Sequence, residues 1–353
     1  LADSSANTYD GSLYIANGAT FTGAGTTTYT VGGIFTQGTG ALFIPASSTL
    51  LMNATTSGKA ITASVGETIA FNQLTFNGSG GAWNINADIT ATADVYVQTG
   101  TVTGTGDVTL TAGSFYGNGL VSMGGGTTTV ETTNTLGGTQ EWTFYDLTVG
   151  NGTVSGTTTP GSTATTTVLN VFTIETGHFY DAGASGLELS GSGGVFIENG
   201  TYLEDTGTVR YSGTAATDLL ATNYYNLDLN ASVGTPTYTA TGIGISIAND
   251  LFIGGEAATI VDFDTNDTVL NVDGDIVIQS NGTLIGSDSA LFTVAGSWDN
   301  NGLYTASAGT VTFDGAGTQT IAVGVSDLAT AIVNGTGSYT LTEHATATVA
   351  LTL

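Results

Sequence analysis

The segment DFDTND places Asp262, Asp264, Asn266 and Asp267 close together. Carboxylates and an amide at alternate positions are how an oxygen-ligated calcium loop begins. The glycine and distal glutamate that complete an EF-hand loop do not follow, and the glycine-rich nonapeptide of calcium-binding β-rolls is missing too. A second acidic pair, Asp273 and Asp275, stands nearby in DGD. Calcium held by Asp262, Asp264 and Asp267 is therefore the one cofactor these residues suggest. The plainer reading of the same residues is a solvated turn, with no cofactor.

Other chemistry has weaker support. Glycoside hydrolysis needs two carboxylates at a fixed separation, and acids are plentiful here, but no cluster joins them to aromatic and basic groups. Polysaccharide lyases of the β-helix type need basic side chains beside a uronate, and the chain has only Lys59 and Arg210. His178 and His344 are too distant in sequence to suggest a metal pair and read as surface or ladder residues. Trp83, Trp142 and Trp298 read as core fillers, with glycan stacking as the alternative. Asn53, Asn77, Asn151, Asn199, Asn230, Asn266, Asn281 and Asn334 each begin an Asn-X-Ser/Thr sequon and are the glycosylation candidates. The expectation is that the chain is not an enzyme.

The elements that carry these residues should be strands. Glycine is abundant at 53 residues, proline scarce at 3, and Thr, Val and Ile recur throughout. Such β-branched residues suit a pleated surface. No segment keeps apolar residues at helical spacing over ten or more positions. With 29 acidic against 2 basic residues, the net charge is −27, which argues against nucleic acid and against an anionic membrane surface. No apolar run approaches the roughly 20 residues of a membrane helix, so no membrane insertion is expected. There is no cysteine and hence no disulfide.

Self-similarity organises the chain. A first box reads LYIANG at Leu13, VYVQTG at Val95, FTIETG at Phe172, LFIGG at Leu251 and VALTL at Val349, at spacings of 82, 77, 79 and 98 residues. A second box, FNQLTF, FYDLTV, YYNLDL and the degraded VSDLAT, places Leu74, Leu147, Leu227 and Leu328 at spacings of 73, 80 and 101. The longer final interval suggests an added coil of about 20 residues. Beyond residue 268, TVLNV, DIVIQ, TLIG, ALFTV, GLYTA, TVTF and TQTI read as short strands separated by Asn-Gly, Asp-Gly and Gly-Ser turns. The expected fold is all-β: a parallel β-helix or β-solenoid of about 20-residue coils. It is read as one repeat-built domain over 1–353, with units of roughly 80 residues beginning near 13, 95, 172 and 251. Tandem β-sandwich domains are the alternative, with 156–167 (GTTTPGSTATTT) as the best linker.

The segment AGTVTFDGAGTQTI (Ala308 to Ile321), with GTVRYSGTAATDLL (Gly207 to Leu220) as a looser copy, resembles a unit of β-strand-repeat surface proteins of bacteria and archaea. These are similar in style to filamentous-haemagglutinin-like adhesins. The resemblance implies a secreted or cell-surface location and a fibre, adhesin or surface-layer role, and carries over no catalytic residue. The chain starts at Leu1 without methionine and reads as a mature or trimmed product; both ends fall within the repeat pattern. The expectation is an extracellular structural subunit that partners itself head to tail in a surface filament, either by stacking or by insertion of the leading LADSSANTYDG as a strand. A monomeric adhesin stalk or surface-layer component facing cell-surface glycans is one alternative. A carbohydrate-active β-helix enzyme is the other.

Overall fold

In a computed structural model of the chain, the described residues are 7–288 and 291–342, with 347–352 described as a strand. They contain no helix. Parallel strands wind a β-solenoid of about 15 turns, with coils about 22 residues apart. The chain divides into two compact units, 1–185 with 198–203 and 186–197 with 204–353.

Each unit is built from three parallel ladders. In the first unit, one ladder runs from Asn7–Tyr9 through Phe115–Gly117, Asn134–Gly138, Gly156–Pro160 and His178–Asp181 to Thr201–Leu203. A second leads from Leu13–Ile15 to Thr166–Val168, and a third includes Thr68–Phe71 through Phe172–Ile174. In the second unit, one ladder links Gly186–Leu189, Thr208–Tyr211, Asn226–Leu229 and Leu251–Ile253 and continues to Ser338–Leu341. Another joins Thr217–Leu220, Thr237–Thr241, Thr259–Asp262, Gly282–Gly286 and Leu303–Ala306. The last runs from Asn223–Tyr224 to Ala347–Thr352.

The parallel pairing decides against tandem sandwiches, whose strands are antiparallel. It also removes the expected linker at 156–167. Gly156–Pro160 pairs with His178–Asp181 and with Asn134–Gly138, and Thr166–Val168 pairs with Trp142–Phe144. Pro160 sits at the end of its strand, where a missing N–H matters least. All seven strands expected beyond residue 268 are present, and an eighth, Trp298–Asn300, lies among them.

Alternation along each strand sends every second side chain inward. Tyr29, Leu50, Leu74, Val95, Phe115 and Leu136 are buried at successive rungs of one ladder. Each buried side chain of this size contributes about 2 kcal/mol. Trp83, Trp142 and Trp298 lie in the core, and the box aromatics Phe71, Phe144 and Tyr224 are fully buried, as their repeated position implied. Phe115 meets the edge of Trp142 at 5.0 Å, and Trp298 meets Tyr304 at 5.0 Å. Coils approach closely at some rungs. A Cβ on Gly138 would stand 1.4 Å from the carbonyl oxygen of Gly117, so only glycine fits there.

The two sequence boxes find their meaning in this stacking. Leu74 of the second box pairs with Val95 of the first, Leu147 with Phe172, and Leu227 with Leu251. The recurring element is thus a pair of strands stacked in register on successive coils.

Candidate functional site

The acidic segment lies at the corner after Thr259–Asp262. Asp262 uses its carboxylate on the turn, accepting from the Asp264 N–H at 2.8 Å, the Thr265 N–H at 3.0 Å and the Thr265 hydroxyl at 2.6 Å. One carboxylate oxygen from each of Asp264, Asp267 and Asp288 lies within 4.8 Å of the others. The group therefore joins two of the expected residues to Asp288 from the next coil, and Asp262 is not part of it. Oxygen donors of this kind suit a hard divalent cation. They already have protein partners: Asp264 accepts from the Asp288 N–H at 2.9 Å, and Asp267 from the Ser287 hydroxyl at 2.8 Å. Asp267 has φ of 48°, a left-handed conformation that aspartate tolerates better than most residues. Asp288 could not be assigned from local spacing, because its contact depends on coil length. Asp275 accepts from the Ser297 N–H and Asp273 from Asn271.

The second unit also holds a charged ladder. Glu188 pairs with Arg210 and Arg210 with Asp228 on successive coils. The Arg210 Nη2 donates to Glu256 at 2.8 Å, and its Nε stands 3.7 Å from Asp228. Burial pushes the Asp228 carboxyl up to about 6; Glu256 and Glu188 push the same way, and Arg210 opposes them. Burial pulls Arg210 down, but its hydrogen bond to Glu256 and the Asp228 and Glu188 charges outweigh this and raise it.

In the first unit His178 is fully buried. Its Nε2 shares a 2.9 Å hydrogen bond with the Thr158 hydroxyl, which accepts from Asn134 Nδ2 at 3.0 Å. The His178 Nδ1 and the Asn134 Oδ1 are buried without a hydrogen-bond partner among the described residues. Burial lowers the His178 pKa. His178 is thus a ladder residue; His344 lies outside the described residues.

The sequons divide by geometry. Asn53, Asn77, Asn199, Asn266 and Asn334 are exposed. The side-chain NH2 groups of Asn151, Asn266 and Asn281 donate to Glu131, to the Ala240 carbonyl and to the Gly255 carbonyl. Asn230 is half-buried, with its Oδ1 accepting from the Glu256 N–H. No protein-family model, curated protein or solved structure matches the chain.

Proposed function

We propose that the chain is an extracellular structural protein, a subunit that continues its own coils by stacking on further copies of itself. The observation that carries this reading is the commitment of side chains to coil-on-coil contact. Apolar residues stack inside. Outside, polar ladders join neighbouring coils, as in Thr36 to Thr62 at 2.9 Å, Thr99 to Asn77 at 3.1 Å and Asn249 to Asn226 at 2.8 Å. The ionisable groups most displaced by their surroundings, Asp228, Tyr180, Tyr238 and Tyr304, are displaced first by burial in such contacts. Because the ladders are parallel, one edge of a coil offers the hydrogen-bonding pattern that the opposite edge of another copy accepts. Repetition of such a contact without closure gives a filament. The net charge of −27 opposes close approach, and screening at physiological ionic strength relieves it.

Electron microscopy across a salt series tests this reading. The expected result is fibres of uniform width at physiological salt that disperse at low salt. Deleting residues 1–12, which include the strand Asn7–Tyr9, should abolish them. Isolated particles at every salt concentration would overturn the filament. Unchanged fibres from the truncated chain would exclude the Asn7–Tyr9 edge as the contact.

A further inference from the structure

The chain has no cysteine, so no disulfide can tie one coil to the next. Most of its other readily oxidised groups are sealed. Both methionines, Met52 and Met123, are buried, and so are Trp83, Trp142 and Trp298. Susceptibility to oxidation follows exposure. What remains open to an oxidant is tyrosine on the outer faces of the coils.

Two of these tyrosines face each other. Tyr96, on Val95–Gly104, and Tyr116, on Phe115–Gly117, are register partners on successive coils. Their strand neighbours Val95, Val97 and Phe115 are buried, and alternation turns both tyrosines outward. The ring centroids are 4.7 Å apart with planes tilted by 25°, and both residues are half-buried. The ladder itself holds the rings at this separation, because paired strands lie about 4.8 Å apart. The next rungs are small: Thr75 pairs with Tyr96, and Gly137 with Tyr116. Both rings can therefore tilt about their Cα–Cβ bonds. The ring contacts of Tyr180 with Tyr202 and of Tyr211 with Tyr238 lie in the core, out of an oxidant's reach. The more exposed Tyr14 donates its hydroxyl to Asn17.

We propose that Tyr96 and Tyr116 form an oxidative cross-linking site, joined as dityrosine by peroxide acting through a peroxidase. Each phenol gives up one electron and one proton and becomes a phenoxyl radical. The two radicals join through the ring carbons next to the oxygens, forming one C–C bond. The hydrogens on those two carbons move to the oxygens and restore both phenols. The two electrons and two protons released reduce one hydrogen peroxide to two waters. The new bond closes a loop of about 20 residues and restricts the unfolded chain as a disulfide does. It lies within one chain, and holds whether or not copies stack.

The test treats the full chain with hydrogen peroxide and a haem peroxidase, and reads dityrosine fluorescence, intact mass and peptide maps. The expected product is a monomer that has lost two hydrogens, with one cross-linked peptide holding Tyr96 and Tyr116. Its urea unfolding should shift to higher concentration than that of the untreated chain. Tyr96→Phe and Tyr116→Phe keep the stacked rings, and circular dichroism should show the parent fold. Each should bring the dityrosine signal of the monomer down to background, whereas Tyr14→Phe should leave it at the parent level. A parent-level signal in either Tyr96→Phe or Tyr116→Phe overturns the pair. So does a parent that forms no dityrosine, or one whose dityrosine only links separate chains, seen as covalent dimers on a denaturing gel.

Discussion

In the first unit Asn134, Thr158 and His178 form a stack that is buried and uncharged; in the second, Glu188, Arg210 and Asp228 form one that is charged and half-buried. The same device, one side chain per coil, meets two environments. Inside, a polar group is tolerated only when hydrogen-bonded and neutral. His178 meets that condition on one nitrogen and not on the other. On the partly open face, one guanidinium pairs with Asp228 and Glu256 beside the Glu188 charge on the neighbouring coil, and Asp228 is left with a raised pKa because the cation does not fully offset burial and its acidic neighbours. A solenoid can therefore carry polarity in either place, provided each stack solves its own electrostatics.

The largest effect should come from breaking the buried stack. His178→Ala removes a fully buried ring and leaves Thr158 without that partner. It should cost about 3 kcal/mol in urea unfolding. A loss within experimental error would mean that the coil collapses around the gap and that the stack is not a stabilising element.

Next in size is the charged stack. Arg210→Met keeps the side-chain stem but leaves Glu188, Asp228 and Glu256 facing one another. A loss of about 2 kcal/mol at pH 7 is expected, mostly from uncompensated partly buried carboxylate. The loss should shrink at pH 4 as the carboxylates take up protons. An equal loss at both pH values would assign the effect to packing of the stem.

The smallest effect is the sharpest discriminator, because the two stacks should respond to acid with opposite signs. The His178 pKa is lowered by burial. Its unfolded form therefore takes up a proton first, and stability falls as pH drops below about 6.5. The Asp228 pKa is raised to about 6. There the folded form takes up the proton first, and stability rises as pH falls from about 6 towards the ordinary carboxylate value near 4. Hydrogen exchange between pH 6.5 and 4 should show protection falling around His178–Asp181 and rising around Asn226–Leu229, after correction for intrinsic exchange. Asp228→Asn should flatten the second response and leave the first. Responses of the same sign in both stacks would contradict the assignment of their causes.

Much of the fold was legible in the residues. The turn pairs and β-branched runs beyond residue 268 marked seven strands correctly; Trp298–Asn300 escaped notice because its sequence, WDN, lacks any β-branched residue. The boxes around Leu74 and Val95 were visible as repeats, but not as each other's partners. The candidate acidic site was half legible: Asp264 and Asp267 are local, whereas Asp288 arrives from the next coil. Nothing local marks Glu188, Arg210, Asp228 and Glu256 as one group, or His178 as buried.

Composition and periodicity by themselves determined that this chain is all-β, strongly acidic and built from short strands around an apolar interior, because side-chain shape and alternation act within a few residues. Only the tertiary structure decided which strands stack, which carboxylates meet, and which tyrosines face each other. Those contacts join residues a full coil apart, and the corner loops between them vary in length. Register therefore emerges from the packed coils as a whole.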